Sequence, residues 1–162
     1  MTTTKINIKD HLKEYLEAKF YDEEIKAVFF PDKLDIYHII WDLVQKRPEN
    51  CPIDKGNLNI ALPDRRIGKS PETFNYISQR SEHIINNKIE NMFYAELHNE
   101  LDGAKHRDGY NFIDSVWRFI CRYNIQSISE DALLKNYQRW RDSVRKKEKR
   151  AYRRQKYHRP SV

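Results

Sequence analysis

The sequence predicts a mainly α-helical domain with a small two-stranded β element, an α+β fold, extended by a long basic C-terminal helix. Three observations carry that expectation. Apolar residues recur at three- and four-residue steps over most of the chain, the period of a buried helix face. Only two short stretches, Ala27 to Phe30 and Leu58 to Leu62, have the composition or alternation of strands. Positive charge is gathered at one end: between Arg139 and Arg159 eleven Lys and Arg stand against two acids, a local +9, so the chain's net +6 leaves −3 for the remainder. The apolar stripe stops near Val144, which sets the expected division into a globular part, residues 6–144, and a basic helical extension, residues 145–162.

Composition bounds the class. A chain of 162 residues with 39% hydrophobic and 12% aromatic content can bury one core. No apolar run approaches the roughly 18 residues that span a bilayer, and Met1 to Ile8 lacks a secretory apolar stretch, so a cytoplasmic protein without a membrane partner is expected. Cys51 falls in a polar loop and Cys121 in a predicted helix; neither has zinc-ligand spacing, and both read as reduced thiols. No cofactor is expected.

In chain order, Met1 to Lys5 reads as a loose polar leader. Asn7 is placed to cap a first helix running to about Phe20, with Ile8, Leu12, Tyr15, Leu16 and Phe20 on one side. Ala27-Val28-Phe29-Phe30 is a short strand stopped by Pro31. Asp32 then caps a second helix through Ile36, Ile39, Ile40, Leu43 and Val44, which Arg47-Pro48 ends. Leu58, Ile60 and Leu62 alternate with Asn57, Asn59 and Ala61, the period of a half-buried strand.

The following loop, Pro63 to Ser70, precedes a helix expected to start at Pro71 with Ser70 as its cap. Gly68-Lys69-Ser70 matches the end of a phosphate-binding P-loop after a strand. Pro63, however, stands where the first glycine of that motif belongs, removing a backbone donor from a loop that must aim N–H groups at phosphates. Nucleotide hydrolysis is disfavoured. A helix N-terminus preceded by Arg65, Arg66 and Lys69 is a candidate contact for one nucleic-acid backbone phosphate, and a basic surface turn is the equal alternative.

From Pro71 to Gly103 the apolar period runs long through Phe74, Ile77, Ile84, Ile85, Ile89, Met92, Phe93, Leu97 and Leu101. It reads as the core spine, either one helix or two joined near Ser78 to Ser81; a homo-oligomeric seam along the isoleucines is the less common outcome. Glu96, His98, Glu100, Asp102, His106 and Asp108 form the one group with metal-binding chemistry, but their spacing matches no strong ligand signature and a solvated helix end is expected.

A helix from about Phe112 to Arg122 follows, then a turn in which Asn124 substitutes for glycine in the left-handed conformation. The last helix is expected from Ser127, which with Glu130 fits a capping box, and carries Leu133, Tyr137, Trp140 and Val144 on its packed face. Its outline with the preceding helix is that of a helix-turn-helix, but the connection is long, and Glu130 and Asp131 stand where base-reading residues normally sit, acids that would repel phosphates. Contact is expected instead through the far end.

These readings converge on a non-catalytic nucleic-acid-binding protein, with DNA favoured over RNA, in a regulatory or packaging role. An Asn-, Ile-, Lys- and Tyr-rich composition is in keeping with a bacterium or bacterial mobile element. The expected contact set is Arg139, Arg141, Arg145, Lys146, Lys149, Arg150, Arg153 and Arg154, with Arg65, Arg66 and Lys69 in the loop. Tyr152 and Tyr157, interleaved with the cations, offer rings that stack on bases. Two alternatives stand beside it: an assembly or scaffold protein docking an acidic partner, and a metal-dependent or phosphoryl-transfer enzyme.

Overall fold

The computed structural model describes residues 1–51, 55–105, 109 and 111–157. Among the described residues there are five helices and one sheet whose strand order is β1-β4-β3-β2: β1 is Thr3–Ile6, β2 Tyr21–Asp22, β3 Ala27–Val28 and β4 Leu58–Ala61. β1 runs antiparallel to β4, β4 parallel to β3, and β3 antiparallel to β2. The sheet therefore has four strands, not two. A parallel neighbour needs a crossover, and α2, Asp35–Leu43, supplies it between β3 and β4.

The polar segment expected to be a loose leader forms β1, one of the two edge strands. Thr4 and Ile6 turn inward at 3% and 1% exposure, and Thr2 extends the ladder by accepting a hydrogen bond from the Leu62 amide through its carbonyl. Strand β2 is two residues long, joined to β3 by a turn in which the Asp22 carboxylate accepts from the amides of Glu24 and Ile25 while Lys26 takes a left-handed φ of 54°.

Helix α1, Asp10–Phe20, buries His11, Leu12, Tyr15 and Leu16. It begins three residues after Asn7, which does not cap it: the Asn7 amide donates to Glu82 and its carbonyl accepts from Asn86 at 2.7 Å, tying β1 to the third helix. Likewise α2 starts at Asp35 rather than at Asp32 and buries Ile36, Tyr37 and Ile40.

No helix starts at Pro71. The Ser70 carbonyl accepts from Thr73 and Phe74, closing a single turn, and the chain then leaves helical geometry because Tyr76 pairs with Gln45 in an antiparallel bridge. Helix α3, Gln79–Gly103, begins only after Ser78, whose hydroxyl accepts from the Ser81 amide.

Along α3 run Ile85, Ile89, Phe93, Leu97 and Leu101, all fully buried. Ile85 and Ile89 are buried on the side of α3 that packs on α1, α2 and α4 of the same chain, while Ile84 is exposed. Phe93 is the hub, in edge-on ring contact with His11, Tyr15, Tyr94 and Phe119.

Helix α4 spans Phe112–Arg122, as its sequence predicts, with the Asn111 side chain capping by accepting from Asp114. Asn124 takes the expected left-handed φ of 47°. Helix α5, Glu130–Tyr157, is capped by Ser129, whose hydroxyl accepts from the Ala132 amide. Ser127 is not its cap: its amide and hydroxyl donate to Glu14 of α1 at 3.2 and 2.9 Å, fixing the α4–α5 connection.

Candidate nucleic-acid interface

The first half of α5 is anchored by a run of rings. Leu133 and Tyr137 are fully buried, and the Tyr137 hydroxyl donates to the Asp102 carboxylate of α3. Burial, and after it the hydrogen bond to Asp102 and that group's charge, raises the Tyr137 phenol well above the usual range. Trp140, only partly buried, stacks on His98 with centroids 4.4 Å apart. His98 Nε2 lies 2.9 Å from Asn136 Oδ1, which assigns the proton to Nε2, and burial holds the imidazole below its ordinary pKa, so it packs as a neutral ring.

The other acids near the end of α3 are spent in the same manner. Glu96 accepts from the hydroxyls of Tyr15 and Tyr123 and from Lys19, joining α1 and the end of α4 to α3. Burial pushes its carboxyl up, but the hydrogen bonds from Lys19, Tyr123 and Tyr15 outweigh it and hold the group below the usual carboxylate range. The Tyr123 phenol, desolvated and bound to Glu96, is pushed up to about 12. Glu100 pairs with Arg122 at 2.7 Å. Each of these side chains ties helix to helix, and among the described residues no group of three or more His, Cys, Asp or Glu is placed to hold a metal ion. His106 and Asp108 lie outside the described residues.

Beyond Val144 the helix continues with its residues in solvent: Arg145 through Gln155 are all exposed. At about 100° per residue, Arg139, Lys146, Arg150 and Arg153 fall within about 60° of one another, on the side opposite buried Tyr137. They form a stripe about 21 Å long at 1.5 Å per residue. Arg145 and Lys149 flank it on one side, Lys147 and Arg154 on the other. Among the described residues these eight cations make no ion pair or hydrogen bond. Lys135 lies on the same line one turn earlier but is paired with Asp131 at 2.7 Å. Helical spacing alone places it there, although a count of cations starting at Arg139 passes over it.

Three of the expected contact residues are engaged within the body. The Arg141 guanidinium lies over the rings of Phe112 and Tyr137 at 5.1 and 5.6 Å, on the packed side of α5. In the loop after β4, Arg65 stacks on Trp41 at 4.4 Å and on Tyr37 at 5.5 Å. Lys69 Nζ donates to the carbonyls of Trp41, Asp42 and Val44 at 3.0, 2.6 and 3.0 Å, closing the C-terminus of α2 where free carbonyls and the helix dipole favour a cation.

Gly68, at φ +114°, brings the loop so close to Trp41 that a Cβ would lie 2.6 Å from the indole. With the Lys69 amine spent on α2 and no helix beginning at Pro71, the Gly68–Ser70 turn builds no phosphate cradle; it latches the loop onto α2. Arg66 alone of that trio is exposed.

Comparison with protein-family models, with characterised proteins and with solved structures finds no match.

Proposed function

We propose that this chain is a non-catalytic nucleic-acid-binding protein that grips the sugar-phosphate backbone of duplex DNA through the solvent side of the far end of α5. The observation that carries the reading is the unpaired cationic stripe Arg139, Lys146, Arg150 and Arg153, with its flanking Arg145, Lys149 and Arg154, on a helix that outruns its own packing face. A cation left in water gains little from its neighbours, whereas a phosphate that it neutralises releases condensed counterions.

Duplex DNA is favoured over RNA because a helix about 10 to 12 Å across fits a major groove about 12 Å wide, while the major groove of A-form RNA is too narrow to admit it. The contact is one of charge and position, suited to regulation or packaging by a body that is itself mildly acidic. Arg65, Lys69 and Arg141 belong to the fold in this reading, and Arg66 is a peripheral contact.

A mobility-shift titration of the full chain on mixed-sequence DNA and RNA probes, at low and at moderate salt, tests the reading. Retardation of duplex DNA at low salt, relieved as salt rises, is expected. Absence of a shift on either probe at low salt contradicts it.

A further inference from the structure

A groove of about 190 Å³ opens between α4 and the start of α5, walled by Ile113, Val116 and Leu134, with Glu130 and Asp131 on its edge. Beside it, one turn apart on α4, Ile113 and Trp117 are 59% and 56% exposed. Single exposed apolar residues are ordinary, but two large ones on one helix face next to an apolar groove make a patch of the kind that partners cover.

The occupant is indicated by α5 itself. Leu134 and Tyr152 are eighteen residues apart, as are Asp131 and Lys149. Eighteen residues are about five full turns, so each pair lies on one line along the helix. That side of α5 thus begins acidic and apolar and ends basic and aromatic, with Tyr152 70% exposed. A second α5 laid antiparallel meets it with opposite character at both ends.

We infer that the α4–α5 face seats a second copy of this chain, the two α5 helices crossing antiparallel about a two-fold axis between Trp140 and Ser143. Lys149 of each copy then meets Glu130 and Asp131 of the other, and Tyr152 lies over the Ile113–Trp117 patch. The contact is isologous, occurring twice by symmetry and closing at two copies. Arg141, the cation nearest the crossing, is folded onto Phe112 and Tyr137 and does not oppose its counterpart. Glu130 has no ion-pair partner among the described residues, and the exposed Asp131–Lys135 pair is of the weak kind that a new partner displaces. The stripe of Arg139, Lys146, Arg150 and Arg153 lies on another side of α5 and stays free, whereas flanking Arg145 and Lys149 lie on the side that the second copy covers and are lost to the nucleic-acid contact in the dimer, so this inference does not rest on the nucleic-acid reading.

Sedimentation equilibrium of the nucleic-acid-free full chain, over a low-to-high micromolar series, tests it. A reversible monomer–dimer equilibrium is expected, and Trp117→Glu raises its dissociation constant at least about tenfold. Lys149→Glu weakens the dimer, and adding Glu130→Lys and Asp131→Lys to it restores the dissociation constant to within about threefold. The charge exchange involves only exposed side chains and decides the matter should Trp117→Glu disturb folding. A chain that stays monomeric throughout, a dimer indifferent to Trp117→Glu, or an exchange that fails to restore association overturns the inference.

Discussion

Tyr137→Ala is expected to cost about 3 to 5 kcal/mol of folding stability, the range for deleting a fully buried aromatic. The ring has no exposed surface and lies 5.0 Å from Phe112 and 5.8 Å from both His98 and Trp140, so its loss strips contact from three neighbouring rings. Tyr137→Phe keeps the ring and loses only the hydrogen bond to the Asp102 carboxylate, at a cost of about 1.5 to 3 kcal/mol, the range for a bond to a charged group. Chemical denaturation of the two variants against the parent measures both. If alanine costs less than about 1 kcal/mol, α5 is not anchored to the body through this face, and the architecture described here is wrong at its central joint.

Removing Arg145 to Val162 should do the opposite, sparing the fold and removing the proposed DNA binding. The residues that hold α5, Leu133 and Tyr137 with partly buried Trp140, all precede the cut, and the described residues just beyond it are solvent-exposed. A single cooperative melting transition is therefore expected to remain, because the truncation takes away no buried surface of consequence. DNA binding should vanish at moderate salt, since of the stripe only Arg139 survives. A truncated chain that binds as tightly as the full one places the contact on the body.

Parts of this molecule are legible in the sequence because they rest on local signals. Helix α4 appears with its expected ends, Asn124 turns left-handed where a glycine substitute is needed, and the apolar period from Ile85 to Leu101 marks the buried side of α3. β3 and β4 are legible too, within Ala27–Phe30 and Leu58–Leu62, but β1 and β2 are not. β1 is four residues of Thr, Thr, Lys and Ile, and β2 only two; neither shows a period, and each is a strand because another strand offers it an edge. The turn after Ser70 has the right cap and the right proline, yet the bridge between Gln45 and Tyr76 ends it, a contact across about thirty residues that no local pattern encodes.

The candidate interface divides in a similar way. That the end of α5 is a cationic helix follows from composition and period. Which cations are available does not follow, because charge counting treats Arg141 and Arg139 alike while the helix turns one onto Phe112 and the other into water. Charge alone likewise cannot divide Arg65 and Lys69 between a phosphate contact and a surface turn; in the folded chain they meet the rings and carbonyls of α2. Orientation, not residue type, separates a structural cation from a free one.

The central claim, that the outward stripe of α5 neutralises phosphates, is tested most directly by the salt dependence of DNA affinity for the full chain and for the Lys146→Ala, Arg150→Ala, Arg153→Ala variant. Not all the cations on one helix can face one groove, so about 4 to 7 phosphate contacts are expected, with a log-log slope of about −4 to −6. The triple substitution should flatten that slope by about 2 to 3 units and weaken all sequences alike, because phosphate contacts position a protein without specifying a base. An affinity nearly indifferent to salt, or a variant that keeps the parent slope while losing discrimination between sequences, would contradict the account.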